Sequence, residues 1–310
     1  MLNILFAAGD DRWPDYEIPL STGFREAGLQ VNLSRDLPAD TVDYVIYAPD
    51  SPLQDLSPYV NCKAVMSVWA GVEALLPNKT ITQPLCRMVD EEGLQSGMVE
   101  WVTGHVLRHH LSIDRCIINP GKDWNIPSPP LAAQRKVTVL GLGELGQACA
   151  EMLAHIGFQV SGWSRTQKDL QGISCFSGEA RLKTALTGAD IVVLLLPATP
   201  ATENTLNSET LGLLSKGAFV LNPGRGPLID DDALLAALDS GQVAHATLDV
   251  FRIEPLPQEH PYWDHPNVTV TPHIAADTRP VTASKTLVAN IAGHERGKPL
   301  LHVVDRSAGY

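Results

Sequence analysis

The run Lys136–Leu140 (KVTVL) is followed at once by Gly141-Leu142-Gly143-Glu144-Leu145-Gly146, and then by Cys149, Ala150, Met152 and Leu153 at helical spacing. A buried strand that opens through three spaced glycines into a helix has few uses. The first glycine allows a tight turn. The second lets backbone approach a pyrophosphate, and the third lets helix and strand pack closely. The helix N-terminus beyond them offers free N–H groups and the positive end of its dipole to an anion. A second apolar run, Gln159–Trp163, completes a strand–helix–strand unit. Such units build a parallel sheet with right-handed crossovers. We therefore expect a doubly wound α/β domain that holds a dinucleotide on Gly141, Gly143, Glu144, Leu145 and Gly146.

The rest of the chain repeats the pattern. Leu2–Ala7, Leu29–Leu33, Tyr44–Ala48, Ala64–Trp69 and Leu85–Val89 are short runs rich in Val, Ile and Leu, bounded by Pro, Gly, Asp or Asn. They read as strands covered on both faces by helices. Gln95 to about Ile113 reads as a long helix with Met98, Val99, Val102, Val106 and Leu107 at helical spacing. Asn119-Pro120-Gly121 and Ile126-Pro127-Ser128-Pro129-Pro130 then interrupt regular structure. Beyond the glycine motif, Ile191–Leu196, Ala218–Leu221, Ala246–Val250 and Val268–Thr271 are further strands, and Thr282 to about Gly297 is a final helix. At about 150 residues per domain, 310 residues make two domains. The fold class predicted is α/β: two doubly wound parallel-sheet domains, one flavodoxin-like and one Rossmann, with a cleft between them. The boundaries are 1–95 plus 277–310, and 96–276.

Charge and cysteine content exclude several classes. Lys and Arg number 23 against 35 Asp and Glu, a net charge of −12. General nucleic-acid binding needs a basic footprint that this chain lacks. No apolar run approaches a membrane span, and Met1–Phe6 lacks the basic segment of a secretory signal. The five cysteines are widely spaced without a C-x-x-C pair, so a reducing cytoplasm is the expected compartment.

NAD-preferring sites place a carboxylate about 20 residues past the glycines, on the ribose 2′-hydroxyl. Here the stretch is Trp163-Ser164-Arg165-Thr166, with Lys168 just beyond and no acid in place. A hydroxyl and a guanidinium suit a 2′-phosphate. NADP(H) is the predicted cofactor, with NAD(H) the weaker one.

Three reactive groups stand just past strand runs: Arg225 in Asn222-Pro223-Gly224-Arg225-Gly226, Glu254 in Phe251-Arg252-Ile253-Glu254-Pro255-Leu256, and His273 in Thr271-Pro272-His273-Ile274. Ligands of doubly wound sheets sit at the carboxyl ends of strands, so the three can converge beside a nicotinamide. The order G-x-G-x-x-G, N-x-x-R-G, E-P, P-H, with Glu254 29 residues after Arg225 and His273 19 after Glu254, resembles the D-isomer-specific 2-hydroxyacid dehydrogenase family along essentially the whole chain. Trp163–Thr166, Asp231–Gly241, Glu254–Pro257, His273–Pro280 and the terminal Val304-Asp305-Arg306…Gly309-Tyr310 resemble its glyoxylate/hydroxypyruvate reductase A branch.

The resemblance implies an enzyme that reduces small 2-oxo acids to 2-hydroxy acids. Arg225 would bind the carboxylate and carbonyl, His273 would be the general acid, and Glu254 would orient His273 and raise its pKa. No metal is implied. Trp69-Ala70-Gly71-Val72 resembles the family's substrate loop, with Glu73 where Asp is usual. The backbone of Ala70, Gly71 and Val72 would face the carboxylate and Trp69 would wall the pocket. Arg279 is a further substrate-binding candidate. Asp249 would meet the nicotinamide amide, Leu196 and Pro197 the adenosine side, with Pro223 nearby. A homodimer through the nucleotide domain follows from the family, with the helix from Gln95 to Ile113 as a contact element. The other readings are a larger 2-oxo acid such as phenylpyruvate, a D-lactate-type activity, or a nucleotide-sensing corepressor-like protein.

Two further features carry a structural reading. His105, His109 and His110 share a helix without a carboxylate or cysteine at zinc spacing, and an interface or helix-surface role is expected. Asp231 and Asp232 read as the acidic start of a helix.

Overall fold

The computed structural model describes residues 1–306. Gly309 and Tyr310, part of the resemblance, lie outside the described residues. The chain forms two compact units, residues 1–94 with 278–310, and residues 95–277.

The first unit is built on a five-stranded sheet: β1 (Leu2–Ala7), β2 (Val31–Ser34), β3 (Tyr44–Tyr47), β4 (Ala64–Ser67) and β5 (Leu85–Cys86). All pairings are parallel, in the order β2-β1-β3-β4-β5. That is the flavodoxin-like order, in which the chain winds away from β1 in both directions. Strands β3 and β4 are buried along their length, which explains why their sequences are continuous apolar runs rather than alternating ones. The helices Trp13–Glu26 and Pro280–Glu295 belong to this unit, and Gly23 of the first meets Val288 of the second. A Cβ at Gly23 would lie 3.0 Å from the Val288 side chain, so the glycine permits the close approach.

The second unit carries seven parallel strands: β6 (Lys136–Leu140), β7 (Gln159–Ser164), β8 (Ile173–Ser177), β9 (Ile191–Leu194), β10 (Ala218–Asn222), β11 (Val243–Leu248) and β12 (Val268–Val270). Their order is β12-β11-β10-β9-β6-β7-β8. The chain thus winds outward from β6 in both directions, the dinucleotide-fold arrangement with one strand added. Two parallel-sheet α/β units were legible in the sequence.

Three local readings are corrected. Strand β8 was not foreseen. It is an edge strand of mixed composition, ISCFS, with only Ile173 buried, so it lacks an apolar run. The single helix over Gln95–Ile113 is instead a π-turn at Glu91–Gln95, a helix Ser96–His110 and a short helix Ile113–Ile117. Ser112, at φ 53°, breaks the last two apart. Apolar spacing runs across that break and so conceals it. Finally, His109 and His110 are buried, 3% and 4% exposed, and are not surface groups. His109 stacks on Phe219, with ring centroids 4.8 Å apart, and its Nε2 lies 2.8 Å from the Thr247 hydroxyl. His110 meets Phe158 edge-on. Met98, Val102 and Val106 line the same internal face of the unit, so this face of the helix packs on its own sheet.

Candidate active site

Strands β10, β11 and β12 are adjacent and parallel, so their carboxyl ends open side by side. Each is followed by one of the reactive residues. After β10, the Asn222 side chain closes the turn: its amide donates to the Arg225 carbonyl at 2.9 Å, and its oxygen accepts from Gly224 N–H at 3.2 Å. Both glycines of this turn are demanded by space. A Cβ on Gly224 would lie 2.7 Å from the Leu194 carbonyl oxygen, and one on Gly226 would lie 2.0 Å from the Phe251 carbonyl carbon. The turn after β10 is therefore pressed against the loop after β11, with Arg225 between its two glycines. The Arg225 guanidinium donates to the Gly224 carbonyl at 2.6 Å.

The loop after β11 folds back on itself through Glu254, whose Oε1 accepts from Phe251 N–H at 2.8 Å. Its other oxygen, Oε2, lies 2.7 Å from His273 Nδ1. His273 stands at φ 55°, in the left-handed region that a residue with a Cβ seldom adopts. Asp249 holds it there. The Asp249 carbonyl accepts from His273 N–H at 2.8 Å. Its buried carboxylate accepts from the Thr271 hydroxyl at 2.5 Å and from the N–H groups of Ile274 and Ala275 at 2.9 Å each. The Asp249 carboxylate is thus committed to the 271–275 backbone. The sequence points Asp249 to a cofactor alone, and it does not mark Asn222 and Thr271 as the residues that fasten these two loops. The signal was present in their positions at or next to strand ends.

The pair is polarised. The hydrogen bond to Glu254 raises the His273 pKa above its ordinary 6.5; burial and the Arg225 charge pull the other way and lose. Burial raises the Glu254 carboxyl, but the His273 and Phe251 hydrogen bonds and the Arg225 charge outweigh it, so its pKa falls. Both ions are favoured together, and Arg225 is close enough to act on each. The His273 side chain is 53% exposed and Glu254 35%. The far ring nitrogen of a half-exposed imidazole, with Nδ1 engaged, can carry a proton to a bound molecule.

The glycine turn has the geometry a dinucleotide requires. Gly141 takes φ 103°, and a Cβ there would lie 2.4 Å from the Leu195 carbonyl oxygen. A Cβ on Gly146 would fall 1.7 Å from the Gly141 carbonyl oxygen, so only glycine lets the helix Glu144–Ile156 start there. Gly143, by contrast, faces open space. Glu144 is exposed and Leu145 half-buried at the head of that helix. Past β7, Arg165 and Thr166 are exposed, while the Ser164 hydroxyl donates to the Thr166 carbonyl at 2.8 Å and closes the turn. Leu196 and Pro223 are buried, and Pro197 is half-buried with its carbonyl accepting from Thr202. These residues fit a dinucleotide carrying extra negative charge on the ribose.

In the first unit, Trp69 is 38% exposed and Val72 buried, with Ala70 and Gly71 between. Among the described residues none accepts from the backbone N–H of Ala70, Gly71 or Val72. Arg279 precedes the helix Pro280–Glu295, and its carbonyl accepts from Ala283 N–H at 2.9 Å. Asp231 and Asp232 do open a helix, but Asp230 caps it, accepting from Ala233 N–H at 3.1 Å. Among the described residues no group of three His, Cys, Asp or Glu side chains could hold a metal ion.

Residues 106–275 match the model of the D-isomer specific 2-hydroxyacid dehydrogenase NAD binding domain. The chain is 39% identical over 267 residues to glyoxylate/hydroxypyruvate reductase A of Yersinia enterocolitica, covering 84% of this chain and 85% of that one. A D-isomer specific 2-hydroxyacid dehydrogenase from Xanthobacter autotrophicus, solved in complex with NADPH and MES, superposes with a TM-score of 0.92 at 39% identity, over 99% of each chain. An NADPH-dependent glyoxylate/hydroxypyruvate reductase from Sinorhizobium meliloti, solved with NADP and sulfate, gives 0.86 at 35% identity, over 100% of this chain and 99% of that one. The match spans more than half of the chain by family and nearly all of it by structure, and the chain belongs to the D-isomer specific 2-hydroxyacid dehydrogenases.

Proposed function

We propose that the protein reduces small 2-oxo acids with NADPH, glyoxylate to glycolate and hydroxypyruvate to D-glycerate. The observation that carries this reading is the His273–Glu254 pair, 2.7 Å apart, within electrostatic reach of Arg225. The names of its relatives support the same substrates. When bound, the cofactor supplies the hydride. Arg225 donates to the carboxylate and the carbonyl oxygen of the acid, orienting it and drawing electron density from the carbonyl carbon. The N–H groups of Ala70, Gly71 and Val72, and Arg279, serve the carboxylate. As charge develops on the carbonyl oxygen, His273 delivers the proton from Nε2, since Nδ1 faces Glu254. Glu254 stabilises the imidazolium before transfer and holds the ring's orientation throughout.

The cofactor reading rests on Ser164, Arg165 and Thr166 at the end of β7, where a carboxylate would repel a 2′-phosphate. Relatives solved with NADPH or NADP support it. Leu196 and Pro197 follow β9 and Pro223 follows β10, at the same carboxyl edge of the parallel sheet.

A homodimer is part of the proposal. The helix Ser96–His110 turns Met98, Val102 and Val106 into its own unit, and its opposite face, together with the stretch after it, is the proposed contact surface. Ile117, Ile118, Trp124 and Leu131 are 72%, 74%, 96% and 75% exposed, an apolar stretch that a second copy would cover. Light scattering should give a dimer, and Trp124→Ser with Ile118→Ser should shift it to monomer. A reducing cytoplasm fits the five free thiols, three of them buried.

The decisive experiment is initial-rate NADPH oxidation with glyoxylate, hydroxypyruvate, pyruvate and phenylpyruvate, repeated with NADH. Fast turnover of the first two with NADPH is expected. Preference for phenylpyruvate would overturn the substrate and keep the mechanism. Binding of NADPH without turnover of any acid would overturn the reading.

A further inference from the structure

We propose that Arg12 is a positioning residue that fixes the substrate pocket's wall by holding the indole of Trp69, and thereby sets the preference for small over bulky 2-oxo acids. The inference rests on the reading above that Trp69–Val72 receives the acid.

The sheet topology points to this corner of the first unit. In the order β2-β1-β3-β4-β5 the winding reverses between β1 and β3, and ligands of such sheets collect outside the carboxyl ends at that reversal. Arg12 stands there. Its Nη1 donates to the carbonyl of Ala8, just past β1, at 2.8 Å. The same fork grips Asp50, past β3, through Nη1 to Oδ1 at 2.9 Å and Nη2 to Oδ2 at 2.8 Å. Its Cζ lies 5.7 Å from the centre of the Trp69 ring, past β4. One planar group therefore ties three successive strand-end loops together.

The backbone of Trp69 is fixed independently. Its N–H donates to the Ser67 hydroxyl at 3.0 Å, and its carbonyl accepts from that hydroxyl and from Met88 N–H, both at 3.0 Å. Those bonds leave the indole's rotation undetermined. The guanidinium supplies what remains, a flat cation over the ring. Asp50 balances its charge and holds its plane, so Arg12 acts as a platform. A lysine could keep the charge but not the fork.

The consequence is selectivity. Size differences in an apolar pocket discriminate weakly, so discrimination depends on a wall that does not move. An indole locked on Arg12 presents one wall. An indole released from it adapts to larger acids and contacts small ones less well.

The test is a comparison of kcat and KM for glyoxylate and phenylpyruvate, with NADPH, in the wild type, Arg12→Ala, Arg12→Lys, Trp69→Ala and the double variant Arg12→Ala/Trp69→Ala. Asp50→Asn provides a second route if Arg12→Ala does not fold. We expect Arg12→Ala to raise the glyoxylate KM at least about fivefold with kcat and the NADPH KM little changed. The glyoxylate-to-phenylpyruvate ratio of kcat/KM should fall in Arg12→Ala and Asp50→Asn, with Arg12→Lys between them and the wild type. The double variant should be no less selective than Trp69→Ala alone. An unchanged ratio in Arg12→Ala and Asp50→Asn, in an active enzyme, overturns the inference. So does an additive double variant, since it would mean that the two residues act separately. A wild type that reduces no 2-oxo acid is a different failure: it removes the functional reading, and this inference with it.

Discussion

Glu254 holds the imidazole of His273 by one carboxylate oxygen, at 2.7 Å from Nδ1, while its other oxygen holds the backbone of Phe251 at 2.8 Å. The residue thus fastens its own loop and the ring in the same act, and it raises the His273 pKa above 6.5. In the proposed reduction the imidazolium is the active form. Because its pKa is raised, kcat/KM should fall only as pH rises through a value above the ordinary 6.5. In Glu254→Gln the effects of burial and of Arg225, both lowering, are opposed only by the weaker Asp249 charge. The falling limb should move to lower pH. His273→Ala should lose about 10²–10⁴ in turnover with NADPH binding intact. A limb that stays put in Glu254→Gln would separate Glu254 from the proton transfer.

Arg225 offers a test of shape against charge. It sits between Gly224 and Gly226, whose missing side chains let the turn press on the Leu194 and Phe251 carbonyls. Its direction is therefore set by backbone, and a substitute starts from the same place. Arg225→Lys keeps the cation but cannot donate to a carboxylate and a carbonyl at once. Loss of one of the two charge-assisted hydrogen bonds, about 1.5–3 kcal/mol, should cost roughly 10–10² in kcat/KM. Steady-state kinetics on glyoxylate would show it, and wild-type rates in Arg225→Lys would make the residue structural.

Cofactor choice is read at the end of β7. Arg165 is exposed there and Lys168 half-buried, beside a turn closed by Ser164 and Thr166. A charge-assisted contact to a 2′-phosphate is worth about 1.5–3 kcal/mol. Neutralising Arg165 and Lys168 together should raise the NADPH KM by roughly 10-fold or more and leave the NADH KM nearly unchanged. Equal losses with both cofactors would show that these cations serve the fold or the pyrophosphate, and not the 2′-phosphate.

Different physical scales explain what could be read from sequence. The parallel sheets were legible because their strands are buried on both faces and so become unbroken apolar runs, as in Tyr44–Tyr47 and Ile191–Leu194. The turn at Gly141–Gly146 was legible because a Cβ on Gly141 or on Gly146 would lie 2.4 or 1.7 Å from a backbone oxygen, which leaves no alternative residue at those two positions. Strand β8 was not, since an edge strand needs no apolar run. The break at Ser112 was hidden because a left-handed serine leaves helical spacing on either side undisturbed. The support given by Asp249 to the 271–275 backbone depends on main-chain donors from another strand end, which no local pattern announces.

The buried His109 and the half-buried His245 make the second unit acid-sensitive in a defined window. Burial, with help from the His245 and Arg108 charges, pushes the pKa of His109 down from 6.5 to about 3. Burial and Arg108 likewise push His245 down to about 4. Since the folded values are depressed, the unfolded chain takes up these protons first. Stability is complete above pH 6.5 and is lost as pH falls from there toward the folded values. For His109 alone the loss from pH 6.5 to 5 is about 2 kcal/mol. His109→Phe keeps the ring against Phe219 but leaves the Thr247 hydroxyl without its 2.8 Å partner. That should cost about 1–3 kcal/mol at pH 8. Urea unfolding at pH 8, 6.5 and 5 should then show a variant weaker at pH 8 but flatter in its pH dependence, by the share of one proton. Parallel pH dependence in the two proteins would show that His109 accepts its proton in the folded state, by an opening of the helix Ser96–His110 over the sheet.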